Sequence, residues 1–317
     1  MLRKIELDAL RADLGAINAM LASRTEADDP IGFHQFQSRK REIEEMIAKL
    51  GDAPDHTASV GLFFGGLPVI GSRGIRADFA GKAIEYFQEL VAKQHAAAEA
   101  GILGRRGRVP LRAATDLMLT DVVRGSFGMV LEEVEENGLL ADSKVKQIVD
   151  EVTDVFLNVA SIDDQVFEEL LASIDGRLLS TLRDFFHLLD EGGATIRVVE
   201  AEKDRLLDRD AVHRGRVRTE AIAVDERESD QISGKLYLLP AHRRFELVRD
   251  DTGETIYGIV SPEYSKEYLG TLQQQGIDPV GKTWRTKMLI REIKRPNREP
   301  KITYTLLGLL GELNSNS

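Results

Sequence analysis

Between Gly234 and Leu307 five short segments alternate apolar with polar residues, and a helical segment separates the third from the fourth. The strand segments are Gly234 to Leu239, Arg244 to Arg249, Glu254 to Val260, Lys282 to Ile293 and Lys301 to Leu307, with the helix expected from about Ser261 to Gln275. Alternation at period two gives each strand one apolar face, so these segments have to close around a shared interior. The sequence Asp251-Thr252-Gly253 supplies a tight turn between the second and third strands. Three strands, a helix and two strands is the chain order of the OB-fold, a string that other small barrels and open sheets share.

The opposite end of the chain has a different period. Leu7, Leu10, Leu14, Ile17 and Leu21 recur at steps of three and four, and Phe36, Ile43 and Leu50 repeat at seven with Met46 between them. Residues 1–52 therefore read as a coiled-coil-like helical hairpin that either docks on the body of the protein or mediates self-association. Residues 58–224 read as an α+β domain. The run VGLFFGGLPVIGSRG predicts a β-hairpin, Phe79 to Ala100 a helix, and DLMLTDVVRGSFGMVLEEV a second strand pair in which Phe127, Met129 and Leu131 alternate. Leu139 to Leu189 is expected to be helical, broken near Ser161 to Asp163 and at Asp175 to Gly176. A strand at Thr195 to Val199 and a charged helix from Leu206 to Thr219 follow, and the polar stretch Asp225 to Asp230 predicts a linker to a barrel domain at 231–312. The fold class is α+β: helical hairpin, central α+β unit with a helical segment, and C-terminal small barrel.

A chain of 317 residues, 42% hydrophobic, is long enough for two or three cores. It has no cysteine, which excludes disulfides, thiolate zinc sites and a cysteine nucleophile and fits a reducing compartment. Neither a secretory signal nor a membrane span is visible, so a cytoplasmic location without membrane partners is expected. The net charge of −11 argues against a protein that coats nucleic acid with its whole surface. That charge is uneven: from Gly234 onward the chain carries about +3, and the remainder about −14.

Catalytic signatures fail on their spacing. Gly66 and Gly71 resemble a phosphate loop, yet Ser72 and Arg73 follow where Lys and Ser or Thr are required. The sequence RGSFG around Ser126 lacks the first glycine of a nucleophile elbow. The six histidines show no metal-binding pair, and Asp190 ahead of IRVVEAEKD places Glu200, Glu202 and Lys203 at spacings that one strand cannot turn toward one metal. No cofactor, metal or catalytic residue is assigned.

Two basic sets remain. Arg105, Arg106, Arg108 and Arg112 lie in a Gly-spaced loop; Arg243, Arg244, Arg285, Lys287 and Arg291, with Lys282, Lys294, Arg295 and Arg298, lie on the barrel. The second set interleaves with Tyr237, Phe245, Tyr257, Trp284 and Tyr304, the pairing of cation and ring that single-stranded nucleic acid uses. Since strand faces alternate, some of these rings belong to the core. Trp284 is counted with the binding set.

The stretches FFGGLPVIGSRGIRADFAGKAIEYFQELV and GSFGMVLEE resemble a pattern of bacterial proteins of unknown function, in which a hairpin, a helix and a second strand pair precede helices and a C-terminal β-unit. The resemblance implies the architecture only. The expectation is a non-enzymatic interaction protein: nucleic acid on the barrel, self or a protein partner on the N-terminal helices, in an assembly such as an antiviral defence complex. One alternative is a metal-dependent nuclease or other hydrolase built from Asp116, Asp121, Glu132 and Glu133; another is a purely structural scaffold.

Overall fold

The computed structural model describes residues 2–52, 56–71, 73–100, 109–123, 127–133, 141–239, 243–267, 279–295 and 298–313. The chain divides into two compact units, one of Met1–Gly81, Asp116–Leu157 and Glu191–Arg209, the other of Lys82–Thr115, Asn158–Asp190 and Asp210–Ser317. No helix among the described residues is long and apolar enough to cross a membrane.

The first unit opens with the expected helical hairpin, α1 (Arg3–Ala22) packed on α2 (Pro30–Asp52). Its apolar stripe buries Ile43 fully and leaves Ile17 9% exposed. Behind it stands a five-stranded antiparallel sheet of β1 (Ser59–Gly66), β4 (Met118–Val123), β5 (Phe127–Glu132), β6 (Ala194–Glu200) and β7 (Lys203–Leu207), in the order β4-β5-β1-β6-β7. The strand pair predicted around Phe127 is β4 with β5. The hairpin predicted from the first apolar run is not formed by β1. That strand lies at the centre of the sheet, and the local hairpin is the short β2 (Val69–Ile70) with β3 (Gly74–Ile75). The reason is in the residues: Val60, Leu62, Phe63 and Phe64 are buried on both faces, and only a central strand can cover both. Phe63, Val130 and Val199 pack with Leu2 and Ile5 at the start of α1, while the Phe64 ring meets Phe79 of α3 (Ala77–Ala100) edge-on at 5.5 Å. Gly66, at φ +83°, has to be glycine, because a Cβ would lie 2.2 Å from the Gly193 carbonyl oxygen.

The expected single strand IRVVEAEKD is two strands. A turn at Ala201 and Glu202, with Ala201 at φ +46°, folds β7 back on β6 and sets Glu200 directly opposite Lys203. The charged stretch that predicted a helix from Leu206 therefore starts as strand, and α7 begins only at Arg209 (Arg209–Glu220).

In the second unit the predicted breaks become caps. After α4 (Lys144–Val159), whose last residues belong to this unit, the Asp163 side chain accepts from Gln165 N at 2.8 Å and starts α5 (Asp164–Ser173). Asp175 Oδ1 accepts from Arg177 N at 2.8 Å and starts α6 (Gly176–Glu191). Gly215 of α7 sits against the Phe186 ring, where a Cβ would come within 2.4 Å.

The C-terminal strands are β8 (Ala223–Leu239), β9 (Arg244–Arg249), β10 (Thr255–Val260), β11 (Thr283–Arg295) and β12 (Arg298–Glu312). They form a closed barrel in the order β10-β12-β11-β8-β9, antiparallel throughout except for β10 with β12. Counted within the barrel this is 1-2-3-5-4 and back to 1, the OB order. Leu236, Phe245, Leu247, Ile256, Met288 and Leu306 fill its interior. Where the parallel pair closes the barrel, a Cβ on Gly258 would lie 2.2 Å from Tyr304 O. The helix between the third and fourth strands is α8 (Pro262–Glu267), and the remainder of the predicted helix lies outside the described residues.

The predicted linker, Asp225 to Asp230, is instead an integral part of β8. Its carboxylates face cations of β11: Asp225 pairs with Lys294 at 2.7 Å, Glu226 with Arg291 at 2.9 Å and Glu228 with Lys287 at 2.9 Å. A polar run reads as a linker only until its cross-strand partners are known.

Candidate functional site

Alternation along the barrel strands sorts the aromatic residues. Phe245 points inward and is 1% exposed; Trp284 and Tyr304 pack against the barrel core, and the Trp284 indole donates to Pro279 O at 3.1 Å. Tyr257 points outward and is 64% exposed, and Tyr237 is also exposed, with Lys235 Nζ 5.8 Å from its ring centre. Trp284 is thus partly buried against the barrel core.

The outward residues of β8, β9 and β10 form rows set by the register. Tyr237, Glu246 and Tyr257 are successive cross-strand partners, and so are Leu239, Arg244 and Ile259. This face opens on a groove of about 850 Å³, lined on the barrel side by Arg243, Arg244, Tyr257, Ile259, Lys301 and Ile302 and also by Gln94 and Ala97 of α3. Arg243 is held at φ +47°, its carbonyl accepting from Val260 N at 2.8 Å, which ties the start of β9 to the end of β10. Glu246 and Asp175 are the acidic side chains of the groove.

Of the basic residues singled out from the sequence, only Arg243 and Arg244 are, among the described residues, brought together as exposed groups on this groove. Arg291 also borders it, but buried, with Nη2 2.9 Å from Glu226 Oε1 and Nη1 donating to Ile174 O. Its charge is consumed inside the protein, so it is a structural residue. Lys287 pairs with Glu228, Arg285 is exposed on β11 away from the groove, and Arg112 is exposed at the start of the 3-10 turn Arg112–Thr115. Arg105, Arg106 and Arg108 lie outside the described residues. Lys301, Ile259 and Ile302, which also border the groove, were not singled out from the sequence.

Of the carboxylates suspected of hydrolysis, Glu133 and Asp121 accept local hydrogen bonds. Glu133 Oε2 accepts from Ala58 N at 3.0 Å and from Ser143 Oγ at 2.5 Å, and Asp121 Oδ1 accepts from Val122 N at 2.7 Å. Among the described residues no group of three or more His, Asp and Glu is placed to hold a metal ion. Four histidines have carboxylate neighbours that spacing does not reveal: His34 with Glu26, His56 with Asp142, His187 with Glu220 and His213 with Asp190, at 2.9–3.1 Å. The hydrogen bond from His56 holds the Asp142 carboxyl below its ordinary range.

In the first unit the β6–β7 turn brings Glu200 beside Lys203, whose Nζ lies 2.6 Å from Asp150 Oδ1 and 2.7 Å from Asp154 Oδ1 of α4. Glu200 is 2% exposed. Burial, then a hydrogen bond with Asp150 and its negative charge, push the Glu200 carboxyl up to about 7. Burial acts on Asp150 in the same direction, but its bonds to Lys203 and Glu200 outweigh it and hold Asp150 below its ordinary range. Of the two, Glu200 is therefore the one that takes up a proton first as pH falls.

Neither a protein-family model, nor a curated protein, nor a solved structure matches the chain.

Proposed function

We propose that the barrel binds single-stranded nucleic acid, with Tyr257 as a stacking platform and Arg243, Arg244 and Lys301 as contacts to the phosphates. The observation that carries this reading is Tyr257, a ring left 64% exposed on the third strand of an OB-order barrel, beside two exposed arginines. The face of the second and third strands is where OB barrels take oligonucleotides, and a base stacked on a protein ring contributes about 1–3 kcal/mol. Ile259 and Ile302 extend the apolar surface beside the ring. The overall charge of −11 confines such binding to a local patch.

Fluorescence anisotropy of labelled single-stranded DNA and RNA across a salt series tests this. Three phosphate contacts to a single strand give a log-log salt slope of about −2. Tyr257→Ala and Arg244→Glu should each weaken binding about tenfold or more while leaving the fold intact. Absence of binding in low salt, or affinity unchanged in both variants, overturns the reading.

In the same reading the protein is a non-enzymatic cytoplasmic subunit, and its helical hairpin meets a protein partner in an assembly such as a defence complex. Met20, Ile31 and Met46, exposed on that hairpin, support the second contact.

A further inference from the structure

The outward row of Tyr237, Glu246 and Tyr257 sets one carboxylate between two rings. Glu246 is exposed, and among the described residues its side chain takes part in no hydrogen bond or ion pair. Arg244, two residues away along β9 and so on the same face, is exposed and equally unpaired. Both the cation and the carboxylate are therefore available to a ligand. The other carboxylate of the groove is already engaged: Asp175 is 7% exposed, and its Oδ1 accepts from Arg177 N at 2.8 Å.

The two rings of the row differ. Lys235 Nζ lies over the Tyr237 ring, 5.8 Å from its centre, and Tyr237 is 37% exposed, whereas Tyr257 is 64% exposed. A base is thus better received on Tyr257. Directly opposed residues on neighbouring antiparallel strands have Cβ atoms about 5 Å apart, so the edge of a base stacked on Tyr257 comes within reach of Glu246. The negative charge of Glu246 turns phosphates away from this row and toward Arg244 in the next, which directs the bases to one row and the backbone to the other.

Hydrogen-bond chemistry then separates the bases. An ionised carboxylate only accepts. Guanine carries two N–H donors side by side on its Watson–Crick edge, at N1 and N2, and the two oxygens of one carboxylate can take both. Cytosine and adenine offer one amino group beside a ring-nitrogen acceptor, and thymine and uracil one N–H between two carbonyl oxygens that a carboxylate repels.

We propose that Glu246 makes this groove selective for guanine, with the base stacked on Tyr257 and its N1–H and N2–H donated to the two carboxylate oxygens. This selectivity rests on the reading of the barrel as a single-strand binder and adds to it the base that is preferred.

Fluorescence anisotropy of the full chain at low salt tests it, with a labelled oligothymidine, the same strand carrying one central guanine, and the same strand with hypoxanthine in place of that guanine. The guanine strand is expected to bind about tenfold or more tighter than oligothymidine. Hypoxanthine, a purine of the same size that lacks the N2 amino group, should lose much of that gain, which separates the edge contact from stacking alone. Glu246→Ala should erase the guanine preference and leave the affinity for oligothymidine equal or higher, since a negative charge near the phosphates is removed; a side chain that only supported the fold would lower both affinities together. Oligothymidine bound with no gain from guanine, equal affinity for the guanine and hypoxanthine strands, or a preference that persists in Glu246→Ala overturns the guanine contact and leaves the single-strand reading standing. No strand bound at low salt overturns both. The comparison of strands on the unaltered protein decides the matter even where the variant does not fold.

Discussion

At the scale of single residues, the groups that matter most are those whose partners lie far along the chain. Glu200 gives the sharpest case. Its carboxyl goes from an ordinary value of 4.5 to about 7 in the folded protein, so the native state holds a proton that the unfolded chain has already released. Its contribution is therefore fully present below about pH 4.5 and is lost as pH rises to about 7. Asp150, shifted downward, contributes in the opposite sense, losing its stabilisation only as pH falls into the acid range, and Lys203, shifted upward, stays charged across the window. Glu200→Gln keeps a neutral donor toward Asp150. Urea denaturation should find this variant about 1–3 kcal/mol more stable than the parent at pH 8 and nearly equal at pH 4.5. Equal stability at both pH values would refute the buried proton. The sequence placed Glu200 and Lys203 only three apart; that they are direct cross-strand partners depends on the turn at Ala201, a residue type that rarely adopts positive φ and so gives no turn signal.

At the scale of elements, periodicity read the helices well and the strands by existence more than by neighbour. The helical hairpin, the caps at Asp163 and Asp175 and the barrel order were legible because each is written in local spacing. The central place of β1 was not, since a run apolar on both sides states only that both sides are covered. The polar half of β8 was misread for the converse reason: its carboxylates are compensated by β11, and no local pattern records that. The distinction has a measurable consequence. Arg291→Met leaves Glu226 buried without its cation, and thermal or urea denaturation should show a loss of about 3–5 kcal/mol. Arg244→Met, on the exposed face of β9, should stay within about 0.5 kcal/mol of the parent. Among the candidate site residues, charge and ring type could be read from sequence, while the division between groove and core needed the register.

At the scale of the whole molecule, the two units are interleaved along the chain, each assembled from three separate segments. A continuous fragment therefore contains neither unit alone. The barrel adds a stricter dependence, because β12 is hydrogen-bonded on one side to β11 and on the other to β10. A chain ending at Asn297 would expose the edges of both β10 and β11 together with Leu236, Phe245 and Met288 of the interior. Size-exclusion chromatography should find that truncation in aggregates, and a monodisperse, folded product would show that the barrel closes without its last strand.

That dependence has a bearing on how the protein is made. Synthesis runs from the N-terminus, so of the five barrel strands the one that seals the barrel is the last to be made. Until it is, the growing chain carries two open edges and an unsealed apolar interior. The parallel contact at Gly258, where no side chain fits, is thus a joint left open until β12 has been made. For a nascent chain of this kind, the interval before β12 emerges is the one in which chaperones have an exposed core to hold.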